Sequence, residues 1–316
     1  MLNRRHLRVK VLQNLYAYHQ SEDRQLARFE KSLIASVDEV YEMYIWLLNL
    51  LIDVADFTLI DADERANKHL PTEKDLSNNT RLENNTFIRM LRENQTFKSH
   101  SRKYDVSWHL SDPEIVRQVF QQLKNSKEYE QYVASEDISL STEKDIIKFI
   151  FKKLILKSPI IEHAFEAKFI NWQLDKEVLQ AMVAKTFKNF QSLDPLENEL
   201  ANLTPNWVED EEFISKLFAI TVRRGEEYQA YVTAKTKNWD AERIALMDTL
   251  IMRLAIAELV NFPSIPVKVT INEYIEISKV FSTPKSNTFI NGILDKVLTD
   301  LRSEGRINKL GRGLVE

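Results

Sequence analysis

Ile265-Pro266-Val267-Lys268-Val269-Thr270-Ile271-Asn272-Glu273, running on to Phe289-Ile290-Asn291-Gly292-Ile293-Leu294-Asp295, reads as two amphipathic helices joined through Ser282-Thr283-Pro284. Apolar residues recur there at three and four, the helical period. The second helix carries a glycine in its interior, at a cost of about 1 kcal/mol relative to alanine. Close approach of another backbone, from this chain or from a partner, is the simplest reason for Gly292. Nothing in the pair offers redox, hydrolytic or phosphoryl chemistry. Its polar residues suit a surface that recognises another macromolecule.

The same period extends through the rest of the chain. After Thr204-Pro205 it predicts helices over about Asp210–Lys235, Asp240–Val260, Val269–Phe281 and Ser286–Arg302. Towards the N-terminus, Asn3 is placed to cap a helix reaching about His19, with Leu7, Val11, Leu15 and Tyr18 on one stripe. A long helix follows from Gln25 to about Phe57, then a polar loop from Leu70 to Asn85. Further helices begin after Ser111-Asp112-Pro113 and at the capping signal Ser141-Thr142. Asp145–Leu156 is amphipathic, and Leu174–Phe190 is helical before the break at Asp194-Pro195. The tail from Gly305 to Glu316 holds three glycines and several basic residues and is expected to be mobile. The fold class is all-α.

Composition narrows the function. The chain has 316 residues, no cysteine and only five glycines, all in its last third. That removes disulfides, thiolate zinc sites, thiol nucleophiles, P-loops and dinucleotide-binding turns together. A net charge of -4 means that any nucleic-acid contact must come from a local basic cluster. The longest apolar run, Tyr44–Ile52, is broken by Asn49 and ends at Asp53, too short to span a bilayer, so a cytoplasmic protein is expected. His6, His19, His69, His100, His109 and His163 show no metal-ligand spacing, and none lies in the C-terminal block. Asp61, Asp63 and Glu64 have the chemistry to hold a divalent cation, but no second acidic cluster faces them in the sequence, and a solvated helix end explains them. No cofactor, metal or catalytic residue is expected.

Arg4, Arg5, His6, Arg8 and Lys10 form the densest basic cluster, with no acid nearer in sequence than Glu22. Arginines spaced along a helix end can meet successive phosphates, and Tyr16 can stack an unpaired base. A charged terminal turn explains the same residues equally well.

Taken together, these residues resemble the NusB transcription-antitermination family. Arg4-Arg5-His6-Leu7-Arg8 followed by Gln13-Asn14-Leu15-Tyr16 is similar to its arginine-rich first helix. Asp240–Ala245, Leu250–Leu259 and Ile265–Val269 resemble its central helices and loop. Asn272-Glu273, Ile277-Ser278-Lys279 and Ser286 through Asp295 resemble its closing pair.

The resemblance implies two small helical bundles and a non-enzymatic role on boxA-type single-stranded RNA of nascent ribosomal RNA. The implied partners are NusE, a ribosomal protein of the small subunit, and the RNA polymerase antitermination complex. By the same resemblance, Arg4, Arg5, Arg8 and Lys10 face RNA with Tyr16 and Phe289, and Asp248 and Arg253 lie beside them. Pro266, Lys268, Asn272, Glu273 and Lys285 face the partner protein, although the family often has an acid where this chain has Lys285.

The expected organisation is an arginine-rich helix at 1–22, an inserted helical region at 23–203, a bundle at 204–302 and a flexible basic tail at 303–316. That long insertion departs from the family pattern and admits a second reading: a protein-interaction scaffold in ribosome biogenesis or transcription. A related module occurs in some RNA cytosine methyltransferases, but the missing cysteine and glycine-rich loop argue against that activity.

Overall fold

Asn3 opens the first helix with its side chain. Its Oδ1 accepts from the backbone N–H groups of Arg5 and His6 at 2.9 and 3.1 Å, and the His6 Nδ1 accepts from the Asn3 N–H at 3.2 Å. Donors that have no partner in a first turn are thereby satisfied. This computed structural model describes residues 1–70, 72–73, 80–192, 194–236 and 245–310.

Helix α1 spans Arg4–Gln20 and α2 Leu26–Ala66. There follow α3 (Thr86–Glu93), α4 (Gln95–Lys103), α5 (Trp108–Ser111), α6 (Pro113–Lys124), α7 (Lys127–Ala134) and α8 (Leu140–Phe149). Helix α8 continues as a π-helical segment, Ile150–Ile155. Then come α9 (Pro159–Lys168), α10 (Trp172–Asn189), a 3₁₀ turn at Pro195–Glu197, α11 (Trp207–Arg223) and α12 (Gly225–Lys235). The last three are α13 (Leu246–Asn261), α14 (Val267–Phe281) and α15 (Ser286–Ser303). No strand occurs among the described residues.

The chain divides into two compact units. One comprises Leu2–Val37 and Thr204–Glu316; the other comprises Asp38–Leu203 with Met1. In the first, α13 is the axis: Leu250, Ile251, Met252, Leu254, Ala255, Ile256 and Ala257 are fully buried, as expected of a helix apolar on all sides. Helices α1, α11, α12, α14 and α15 pack around it. The first turns of α2 join this unit rather than the insertion. Asn14 Nδ2 donates to the Phe29 carbonyl at 2.9 Å, and Tyr18 meets the Phe29 ring edge-on at 5.3 Å.

In the second unit the apolar face of α2 is again central. Tyr44, fully buried, bonds through its hydroxyl to Thr186 and accepts from the Ala201 N–H at 3.1 Å. Trp108 Nε1 donates to the Trp46 carbonyl at 2.9 Å. By length and composition α2 is apolar enough to cross a membrane, but 78% of its most apolar stretch is buried inside the protein, as in a core helix.

Several sequence expectations shift. Helix α2 runs past Phe57 to Ala66, and the unassigned stretch after Asn85 contains α3 and α4. The cap of α8 is Ser139, whose hydroxyl accepts from the Thr142 N–H, two residues before the expected signal. Asp210–Lys235 is two helices divided at Arg224. Asp240 to Ile244, and Pro71 and Ser77 of the predicted loop, lie outside the described residues.

The tail is corrected most. Up to Leu310 it is a docked strap, not a loose end. The Arg306 guanidinium pairs with Glu227, and Ile307 packs on Leu259, Val267 and Ile271. Lys309 Nζ donates to the Phe262 carbonyl at 2.9 Å, and the Leu310 N–H to the Pro263 carbonyl at 2.9 Å. Gly311 and Gly313 lie outside the described residues.

For Gly292 the structure removes one of the two alternatives, close approach from within this chain. A Cβ built on it meets nothing within 4 Å, so no neighbour among the described residues requires a glycine there.

Candidate nucleic-acid and partner-binding face

The arginines of α1 meet acids from far along the chain. Arg4 pairs with Glu209 at 2.5 Å and Asp210 at 2.9 Å, and its guanidinium lies 4.4 Å from the centre of the Phe213 ring. Arg5 forms a two-pronged pair with Glu273 at 2.8 and 2.9 Å. That bond holds Glu273 below the usual carboxylate range and raises Arg5 above its ordinary value. Arg8 forms a second two-pronged pair, with Glu258, at 2.7 Å to each oxygen, and both side chains are buried. The cluster that reads as bare positive charge in sequence is thus largely neutralised by Glu209, Asp210, Glu258 and Glu273.

Between α1, α11, the 261–266 turn and α14 lies a cleft of about 940 Å³. Arg4, Arg5 and Lys216 alternate around it with Glu209, Glu212 and Glu273, over Phe213, Phe262 and Pro266. Mixed charge over aromatic and proline surface suits contact with a macromolecule. The cleft has no histidine or cysteine to act as base or nucleophile.

Half of the expected RNA-facing side chains stand in the interior: Arg8 and Lys10 are each 2% exposed, Asp248 5% and Arg253 9%. This corrects their assignment, because a group sealed in the fold offers no surface to phosphate. Asp248 accepts from the Ser282 and Ser286 hydroxyls, the latter at 2.8 Å, and so ties the α14–α15 turn to α13. That contact fixes the start of α15, one turn before Phe289. Arg253 lies at the junction of α11 and α12, its Nη1 3.2 Å from His19 Nε2.

Arg4 and Phe289 are half-buried, while Arg5 and Tyr16 are exposed. On the partner side Lys268, Asn272 and Lys285 are exposed, and Pro266 and Glu273 half-buried. The structure therefore brings Arg4, Arg5, Pro266 and Glu273 to one cleft. Sequence reasoning named Glu273, for the partner side, but missed Glu209, Asp210 and Glu258. Glu258 had a legible signal, since a carboxylate inside Leu250–Leu259 needs a cation when that helix is buried.

Burial, together with Arg253 and Arg24, pushes His19 down to about 4 from an ordinary 6.5. A depressed folded-state value means that the unfolded chain takes up the proton first. Stability is therefore full above about 6.5 and is lost as pH falls through about 4. His19→Gln, which keeps a neutral side chain, is expected to flatten that loss. Urea midpoints at pH 7 and pH 4.5 check this, and parallel losses in both proteins refute it.

The acidic residues weighed as a cation site are already occupied by side chains. Asp61 pairs with Arg65 at 2.9 Å and Lys124 at 2.7 Å, Glu64 pairs with Arg117 at 2.6 Å, and Asp63 is exposed. Asp53, Asp56 and His109 do converge, but Asp53 accepts from the Trp108 N–H at 3.0 Å and Asp56 pairs with Arg92. Structural roles account for both carboxylates.

Fold and face together define an all-helical protein in which an N-terminal arginine-bearing helix completes a C-terminal bundle. The sequence profile of the NusB family matches residues 177–299. The transcription antitermination protein NusB of Salinibacter ruber is 43% identical over 104 residues, 33% of this chain and 65% of that protein. That of Chloroherpeton thalassium is 38% identical over 109 residues, 34% of this chain and 52% of that protein. That of Koribacter versatilis is 41% identical over 92 residues, 29% of this chain and 63% of its length. The matches thus span between half and two thirds of each relative. The family match is confined to residues 177–299, and much of the remaining chain is additional helical structure.

Proposed function

We propose that this protein is a non-enzymatic, RNA-binding transcription antitermination factor of the cytoplasm. In this reading it acts with NusE on boxA-type RNA during ribosomal RNA transcription, as part of the RNA polymerase antitermination complex. The observation that carries it is the joining of α1 to the NusB-family helices. Arg5 and Arg8, at the start of the chain, are held by Glu273 and Glu258 within one compact unit.

RNA would meet Arg4 and Arg5, whose glutamate pairing exchanges for phosphate, and the rings of Tyr16 and Phe289. Pro266, Lys268, Asn272, Glu273 and Lys285 would meet the partner protein. The buried Arg8, Lys10, Asp248 and Arg253 support this face from beneath.

Arg4→Gln with Arg5→Gln is expected to weaken boxA RNA binding about tenfold. It should also make the salt dependence shallower by about 1.4 in log–log slope, the release expected from two phosphate contacts to a single strand. Fluorescence anisotropy across a salt series, with NusE present, reads both. Unchanged affinity and slope would remove these two arginines from the RNA face.

A further inference from the structure

We infer that the unit formed by Asp38–Leu203 carries its own binding surface for the phosphate backbone of single-stranded RNA, centred on Lys148, Lys152, Lys153 and Lys157. Sixteen positions of sequence carry it. Between Asp145 and Glu162 there is no acidic residue, and all four lysines fall inside that interval.

The backbone gathers them. In an uninterrupted α-helix, at 100° per residue, Lys148 and Lys157 would lie about 180° apart, on opposite sides. The Ile150–Ile155 segment is instead π-helical, with the Leu156 N–H bonded to the Phe151 carbonyl at 3.0 Å. A π-turn rotates less per residue, because each bond spans five positions. Lys152 then comes into line above Lys148, and Lys157 into line above Lys153. The four fall within an arc of about 90°.

The opposite face is anchored. Ile146, Ile147, Ile150, Phe151 and Ile155 are buried, so the lysine face is held outward by the core. Lys152, Lys153 and Lys157 are exposed, and none pairs with an acid among the described residues. Lys148 is the exception, 2.8 Å from Asp145. Two rows of flexible ammonium groups recognise charge rather than base identity, which fits a phosphate backbone. An RNA held by the NusB-family domain has flanking single-stranded sequence for such a surface to take.

The inference rests on the RNA-binding function proposed above, and the experiment separates the two. The full chain and its Lys148→Gln, Lys152→Gln, Lys153→Gln, Lys157→Gln variant are titrated with boxA RNA, with and without single-stranded flanks. Circular dichroism melts confirm that the variant is folded.

The expected result is that flanks strengthen binding of the wild type and not of the variant. The variant's salt slope on the flanked RNA should be shallower by two to three units, about 0.7 for each of four phosphates. Equal flank dependence and equal slopes overturn the lysine surface while leaving boxA recognition standing. Failure of the wild type to bind either RNA overturns both. Lysine-dependent binding to vesicles containing phosphatidylserine, with RNA binding unaltered, overturns the inference in favour of a membrane surface.

Discussion

Arg8→Ala is expected to destabilise the unit containing α1 by about 3–5 kcal/mol, the cost of leaving one member of a buried ion pair without its partner. Glu258 is fully buried and Arg8 2% exposed, and the two share a pair of 2.7 Å hydrogen bonds. Thr270 and Tyr274 also donate to Glu258, at 2.8 and 3.1 Å. Without the guanidinium, those two hydroxyls must hold a buried carboxylate alone. Glu258→Gln should cost less, because its carbonyl still accepts while the charge is gone. Arg8→Met combined with Glu258→Leu should be less damaging than Arg8→Ala, since neither charge then remains. Urea unfolding followed by circular dichroism checks the order. A loss below about 1 kcal/mol for Arg8→Ala would mean that Glu258 is not held by this pair.

That expectation turns on what the sequence could reveal. Helices and caps were legible because their causes are local: Asn3 sits one residue before α1, and Asp112-Pro113 marks the start of α6. The match of the closing helices to a known family was legible for the same reason, since contiguous residues carry it. The charge state of the arginine cluster was not. Its neutralising acids lie 250 and 268 positions away for Arg8 and Arg5, and no local window contains both partners. The unit boundary moved from residue 22 to residue 37 for a related reason. Phe29 and Leu33 continue the period of α2 without a break, and only their buried side chains tell which unit they serve.

The π-helical segment was equally hidden. Ile146–Phe151 reads as an ordinary amphipathic helix, and the widened hydrogen-bond register belongs to the folded chain. The strap at 305–310 looked mobile from its glycine and basic residues. The C-terminal carbonyls of α13 give Lys309 a site, and a sequence cannot display carbonyls that need a cation.

Among glycines the sequence drew attention to the wrong one. Gly225→Ala is expected to destabilise the same unit by about 1–3 kcal/mol, the usual cost of forcing atoms into a filled interior. Its Cβ would stand 1.7 Å from Arg253 Nη2 and 2.8 Å from Arg253 Cζ, so the guanidinium has to leave. Leaving is costly because Arg253 is only 9% exposed and its guanidinium fills the space beside Gly225. It would also give up its contacts with His19 and the Thr221 carbonyl. In an Arg253→Ala background the same substitution should be neutral or stabilising. The clash is gone there, and alanine is the better helix former by about 1 kcal/mol. The double-mutant cycle therefore predicts a change of sign as well as a coupling of about 1–3 kcal/mol. Unfolding midpoints of the four proteins measure it. Additive effects would show that the guanidinium does not depend on the space at Gly225.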